Sequence, residues 1–404
     1  MYNASPKGHS QSYIATTSLP WFFPTFKQHL KLIKTTMVFL KSIIALSVTI
    51  TSAFAANVAS IASCPALTAR TTAAKDVTDL RIDDFKIVGA LGDSIMAGFA
   101  MMGIDYEGSG ILNLSLVSEY RGNSYAIGGD TGAVTLSNFI KRYQPNVQGA
   151  SVLSHIVSFC QGDSCGFPET LYRPLRDNLN AGQSGAVAMN LDYELDYLIP
   201  RMKSYILSTS YKNDWKFLTI QIGSNDQCAS CNSTISDHVT AKAYGQYVEA
   251  AIKRIQAEIP KTVVNLLGTF KVSGVFPLSA GQAYCVPNGI LENTSECSCS
   301  SSPENLAKMD ALSDAYNQQL QTIANKYKGQ PNGTFAVMYS PAPIDISTFP
   351  IDALSNVDCF HPSLKGHQWI AKSFWNQLFL KSNAKPTAMK FDANLGDADR
   401  LPTT

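Results

Sequence analysis

The chain offers little net charge to any partner: 32 Lys and Arg stand against 31 Asp and Glu, leaving +1 over 404 residues. That balance gives no field with which to gather nucleic acid or hold an anionic membrane surface. The one short basic cluster, Lys27, Lys31 and Lys34, lies near the N-terminus and reads as targeting sequence. Charged residues as a whole are scarce at 16%, against 45% hydrophobic, a proportion that fills a sizeable soluble core. No internal repeat or long low-complexity segment interrupts the chain, whose length admits one large domain or two ordinary ones.

Membrane-spanning runs are lacking too. The apolar stretch Ser42–Phe54 is short and rich in Ser and Thr, which argues against a span. It follows Lys41 in MVFLKSIIALSVTITSAFAANVAS, which starts at Met37, and it closes on Ala53-Phe54-Ala55. Small residues around Phe54 suit a signal peptidase, so we expect a leader over 1–55, its signal core at 37–55, cut after Ala55. An uncleaved signal anchor is the alternative. Residues 1–36 are unlike the start of a signal peptide, so Met37 is a second candidate start. No apolar tail of the GPI type closes the sequence. The expected location is extracellular.

Cysteine is well represented, with nine residues, and export to an oxidising compartment makes disulfides the natural reading. We expect local bridges Cys160–Cys165 and Cys228–Cys231. Cys359 should pair with one of Cys285, Cys297 and Cys299, the other two with each other, leaving Cys64 odd. Zinc is the rival reading, since Cys228, Cys231, Cys297 and Cys299 supply thiolates. The single residue between Cys297 and Cys299 is too tight for the usual ligand pair. No metal and no organic cofactor is expected. Asn3, Asn113, Asn232, Asn293 and Asn332 stand in glycosylation sequons.

From Phe85 onward, strand-length apolar runs alternate with amphipathic stretches. Strands are expected at Lys86–Leu91, Phe217–Gly223, Thr262–Phe270 and Phe335–Tyr339. Helices are expected at Ala133–Tyr143, Leu191–Ser208, Ala241–Glu258, Pro303–Tyr327 and Leu364–Leu380. Ser302 and Pro303 cap and open the fourth of these. Alternation predicts an α/β/α sandwich around a mostly parallel sheet, with every strand's carboxyl end on one edge, where α/β sites form. Residues 56–84 precede this single domain, which spans 85–381 with Ser109–Asn180 as an insertion, and a polar tail covers 382–404.

Chemistry gathers at that edge. Gly92-Asp93-Ser94 follows the first strand directly, and Ile222-Gly223-Ser224-Asn225-Asp226 closes a later one. Asp358-Cys359-Phe360-His361 precedes the last helix. Nucleophilic catalysis needs a hydroxyl, a base, a group that orients the base and donors for an oxyanion, and these connections carry all of them. Helix capping is the plainer account of Asp93, Asp130 and Asp226. His155 and His238 have no acid motif beside them, and His367 falls within the last helix as a packed or surface histidine.

The chain here resembles the GDSL, or SGNH, hydrolases over about residues 85–380. The blocks are GALGDSIMAG at 89–98, NAGQSGA at 180–186, IGSND at 222–226 and DCFHPS at 358–363. EYRGNSYAIGGD, LSNFIKRYQPNVQGAS and WKFLTIQIGSNDQCASC make it most similar to the phospholipase B-type lipases. The resemblance implies Ser94 as nucleophile, His361 as base and Asp358 as its orienting acid. It also implies an oxyanion hole from the Ser94 N–H, a block-two glycine N–H and the Asn225 side chain. Gly185 is favoured for that glycine over Gly129.

The expected activity is hydrolysis of phospholipid or lysophospholipid esters through an acyl-enzyme, with transient contact at a lipid interface. A carbohydrate O-acetylesterase of the same fold and a non-catalytic lipid-binding surface protein are the alternatives. An acyl chain needs an apolar groove, for which Ile95, Met96, Phe99, Met101, Met102 and Phe360 are candidates; the core face of the helix after Ser94 would explain the methionines equally.

Overall fold

Alternation of side chains along Phe85–Gly92 (β1) divides the molecule into layers. Ile87 and Leu91 point into one core, Val88 and Ala90 into another, and all four are buried. This is a computed structural model, and it describes residues 58–103, 117–166, 171–282, 294 and 296–398. Trp215–Gln221 (β2), Thr262–Leu267 (β3) and Phe335–Ser340 (β4) join β1 in a 4-stranded sheet of that order, every pairing parallel. β2 and β3 are buried throughout, as a parallel sheet covered on both faces requires.

The helices that cover the sheet are Ser94–Ala97 (α1), Leu136–Tyr143 (α2), Leu191–Tyr205 (α3), Ser224–Ala229 (α4), Ala241–Glu258 (α5), Pro303–Lys326 (α6) and Leu364–Leu378 (α7). On one face Leu195, Leu198 and Met202 of α3, Val248, Ile252 and Ile255 of α5, and Tyr316 and Leu320 of α6 pack on Ile87, Leu218 and Val264. Their spacing is that of a helical stripe. On the other, Phe139 and Ile140 of α2 meet Trp369, Phe374 and Trp375 of α7. Fold class and the principal elements are therefore as the sequence leads one to expect, and most boundaries agree within a turn. Ser302 caps α6 through a bond from the Asn305 N–H, and Pro303 opens it.

Two features fall outside the simple alternation. Beyond β1, the N–H of Val88 donates to Gln148 O, that of Ala90 to Leu179 O, and those of Ala181 and Gln183 to Ala90 O and Gly92 O. Pieces of the inserted region thus extend the sheet past β1, so β1 is an inner strand with neighbours on both sides. Near the other terminus, Met389–Lys390 pairs in parallel with Ile344–Asp345, and Ala398 bridges Val58. Within residues 382–398 the polar sequence returns to the domain's own core, into which Met389 inserts.

The disulfides need one correction. Cys160–Cys165 forms as expected, but Cys228 bonds Cys297 and Cys231 bonds Cys299. Because Cys228 lies in α4 and Cys231 just beyond it, both thiols face the same distant stretch. Cys359 is disulfide-bonded too; Cys297 and Cys299 being taken, Cys285 is its remaining expected partner and lies outside the described residues. Cys64 is free and buried. Asn3, Asn113 and Asn293 also lie outside the described residues, whereas Asn232 and Asn332 are exposed.

The paired bridges close almost the same loop, with sequence separations of 69 and 68. The first closure is worth about 4 kcal/mol in chain entropy, whereas the second closes only a small residual ring and adds about 2 kcal/mol. Denaturant melts should therefore show that replacing both pairs by Ala costs more than twice what replacing either pair costs.

Candidate active site

Gly92 ends β1 where the backbone of β2 comes too close for a side chain: a Cβ there would lie 2.2 Å from Gln221 O. The chain then turns, and Asp93 accepts a hydrogen bond from the Ile95 N–H, capping α1. Ser94 is thereby placed at the carboxyl edge of β1, between the inserted segment on one side and β2 on the other. Ligands bind at such switch points in α/β sheets.

The histidine beside Ser94 arrives from the far end of the chain. Ser94 Oγ lies 2.7 Å from His361 Nε2, and His361 Nδ1 lies 2.6 Å from Asp358 Oδ2. The second oxygen, Asp358 Oδ1, accepts from the N–H groups of Phe360 and His361 at 2.9 and 3.0 Å. Folding three residues around one carboxylate sends Cys359 into the left-handed region, with φ 51°. A side chain other than Gly is strained there, and the Cys359 disulfide is a covalent restraint at that point. The loop is also tied to the segment behind the nucleophile. Ser355 Oγ donates to Ala100 O at 2.7 Å and the Leu364 N–H to Met101 O at 2.8 Å. Phe99 sets its ring edge-on to His361, centroids 5.0 Å apart.

Burial pulls the His361 imidazole down, but the Asp358 carboxylate outweighs it, aided by Glu296 and Asp93, and holds it above the ordinary histidine value. Beneath the site burial raises three carboxyls: Asp93 to about 6, Asp226 to about 7 and Glu194 well above its usual range. Asp93 caps α1 as expected. Asp226 does not cap its helix; both its oxygens face the Ala188 N–H at 3.1 Å. Asp130 departs from the capping expectation as well, accepting from the Leu153 N–H at 2.9 Å.

Asn225 leaves β2 at the same edge. Its Nδ2 donates one hydrogen to Ala186 O at 2.9 Å, and an amide nitrogen carries a second. That bond draws the end of NAGQSGA to Asn225. Gly185, one residue before Ala186, has φ 86°, and a Cβ on it would strike the Phe159 ring at 2.3 Å. The N–H of the competing glycine, Gly129, is engaged by Ser151 O at 2.7 Å.

A cleft of about 650 Å³, its open mouth included, adjoins these groups and is lined by Ser94, Asn225 and His361 at one end. Its walls are apolar and include Phe270, Val275, Ile346, Phe349, Leu354 and Phe360. Of the expected groove residues, Ile95 and Phe360 line it. Met96 and Met101 are buried to 0% and 1%, while Met102 is exposed. Met96 and Met101 thus serve packing, and most of the lining comes from residues 270–275 and 344–370. Gly366 and Ile370 lie on α7, but short segments carry the rest, which left no periodic signal to find them by.

Two further histidines are buried, His367 as a packed residue in line with expectation and His155 beside a distant acid. His367 is packed, accepts from the Tyr125 N–H at 3.3 Å, and is held down to about 3 by burial and by His361. His155, which has no acid motif near it in sequence, meets Asp177 Oδ1 at 2.8 Å. Among the described residues no His, Cys, Asp and Glu group is arranged to hold a metal ion.

A family model for the GDSL-like lipases and acylhydrolases matches residues 88–374. The chain belongs to that family. It is 27% identical over 333 residues to the rat protein named "Phospholipase B1, membrane-associated", covering 79% of this chain and 21% of the relative. The human protein of that name is 26% identical over 341 residues, covering 81% of this chain and 22% of the relative. The chain therefore spans about a fifth of the length of the curated relatives it matches. Among solved structures, an acetyl xylan esterase from Geobacillus stearothermophilus aligns with a TM-score of 0.38 and 15% identity, over 74% of this chain and 97% of that one. No helix among the described residues is long and apolar enough to cross a membrane.

The histidine's environment has a direct spectroscopic consequence. Its ring should titrate above ordinary histidine in an NMR pH series. Asp358→Asn removes the largest charge that raises it and leaves burial to pull it down, so the midpoint should fall below that of ordinary histidine.

Proposed function

We propose that this hydrolase cleaves phospholipid or lysophospholipid esters through an acyl-enzyme on Ser94. The observation that carries the reading is the unbroken hydrogen-bonded chain Ser94–His361–Asp358 at the end of an apolar cleft. Ser94 Oγ bonds the ester carbonyl carbon as its proton passes to His361 Nε2. Asp358 keeps the imidazole turned toward the serine and stabilises the imidazolium. The N–H groups of Ser94 and Gly185 and the free hydrogen on Asn225 Nδ2 receive the oxyanion. His361 then returns the proton to the alcohol oxygen as the ester C–O bond breaks. Water, deprotonated by the same base, releases the fatty acid and restores Ser94.

The apolar walls favour an acyl chain over an acetylated sugar, because each buried methylene contributes about 0.8 kcal/mol. The phospholipase B1 relatives agree with a lipid ester. A secreted, glycosylated protein is the setting we assign: Ala53-Phe54-Ala55 suits cleavage of a leader, the disulfides suit an oxidising compartment, and Asn232 and Asn332 are exposed sequons.

Ser94→Ala should abolish ester turnover without unfolding the protein, and near-normal activity in that variant would overturn the mechanism. Asn225→Ala should lower kcat by about 10²–10³ if it supplies one oxyanion donor. Along a monoacyl series from acetyl to long chains, kcat/KM should climb. A preference for acetylated sugars over lysophosphatidylcholine of roughly a hundredfold, about 2.7 kcal/mol, would instead assign the site to a deacetylase.

A further inference from the structure

Apart from the triad, the inserted region buries a second set of charges. Glu119, Arg121 and Asp177 have side chains at 0% exposure and His155 at 4%. Arg121 Nη2 and Nε donate to Glu119 Oε2 at 2.6 and 3.0 Å, and Nε lies 3.4 Å from Asp177 Oδ1. His155 places Nε2 against Asp177 Oδ1 at 2.8 Å and Nδ1 against Ile156 O at 2.7 Å. Both ring nitrogens thus face oxygen atoms of the cluster's own surroundings.

Stability alone accounts poorly for such a cluster, since desolvating ion pairs costs as much as apolar packing of equal volume would return. What the cluster touches is more telling. Glu119 Oε1 accepts from Ser184 Oγ at 2.6 Å, and Arg121 Nη1 donates to Asn180 O at 3.3 Å. Asn180 and Ser184 bound the turn that leads into Gly185, and Asn180 Nδ2 also donates to Met96 O, in the nucleophile's own helix, at 3.0 Å. Glu119 itself pairs with Phe99, whose ring lies against His361. Through its backbone and its carboxylate, one residue therefore connects the segment beside His361 to the turn before Gly185. Arg121 holds one of its oxygens, leaving the other to Ser184.

We propose that Glu119 is a positioning residue: held by Arg121, it anchors Ser184 and so aims the Gly185 N–H at the oxyanion. The proposal rests on the acyl-enzyme reading of Ser94. An oxyanion donor contributes through aim as much as through presence, so a small displacement of the turn is felt in the rate.

The test uses the purified protein, a lysophosphatidylcholine assay and a fluorophosphonate that labels an activated serine. Ser184→Ala removes only the hydroxyl held by Glu119; Glu119→Gln removes the charge. Ser158→Ala is the control, since its buried hydroxyl donates to Leu171 O in the same inserted region and not to the turn. Ser184→Ala and Glu119→Gln should lose about tenfold or more in kcat with KM changed less than about twofold, and should label more slowly by a similar factor. Ser158→Ala should match the wild type. If Glu119→Gln fails to fold, the Ser184 and Ser158 variants decide. Wild-type kcat and labelling in folded Ser184→Ala would overturn the proposal, as would a loss confined to KM or an equal loss in Ser158→Ala. Labelled Ser94 with an unchanged rate in Ser184→Ala rejects the positioning role alone, whereas no labelling of Ser94 in the wild type rejects the acyl-enzyme reading first.

Discussion

At Gly92 the backbones of β1 and β2 approach so closely that only hydrogen fits on the Cα. The same residue donates its N–H to Glu194 Oε2 at 2.9 Å and accepts from the Gln183 N–H at 2.9 Å. Through those contacts one position joins the nucleophile's strand, the strand that delivers Asn225, the helix α3 that supplies Glu194 and the turn that delivers Gly185. A side chain at Gly92 would part β1 from β2, and the groups around Ser94 would separate with them. The active site is accurate because its parts hang from a shared piece of backbone, which loops alone would not provide.

Charge beneath the site follows from that compactness. Asp93, Glu194 and Asp226 lie in the low-dielectric layer under the serine, where each resists ionisation. Two of them accept N–H groups from the connections they support, Gly92 for Glu194 and Ala188 for Asp226. Carboxyls so placed act as acceptors for backbone N–H groups at the strand end and in the connections beyond it.

The sequence made the sheet, the main helices and the residues around Ser94 legible because each carried a local signal. β1 reads as an apolar run stopped by glycine, α5 as a helical stripe, and Ser94, Asn225 and His361 as polar residues just past strand ends. What escaped notice depends on contacts between distant segments. His155 and Asp177 are far apart in sequence, and no spacing rule joins them. Cys228 and Cys231 looked like a local bridge until α4 turned both toward residues 297–299. The apolar cleft draws mostly on short segments with no period to detect, while Met96 and Met101 went to the core.

The bonds from Ser355 and Leu364 to the carbonyls of Ala100 and Met101 fasten the base loop to the nucleophile's own segment. Serine, histidine and aspartate are consequently in register before any substrate arrives, and binding energy is not needed to assemble them. Under the proposed acyl-enzyme reading, a resting site of this kind is open to inactivation by small electrophiles that share nothing with a lipid beyond an activated acyl or phosphoryl centre. Choice among natural esters then falls to the cleft and its walls, so that selectivity and reactivity in this molecule can evolve apart.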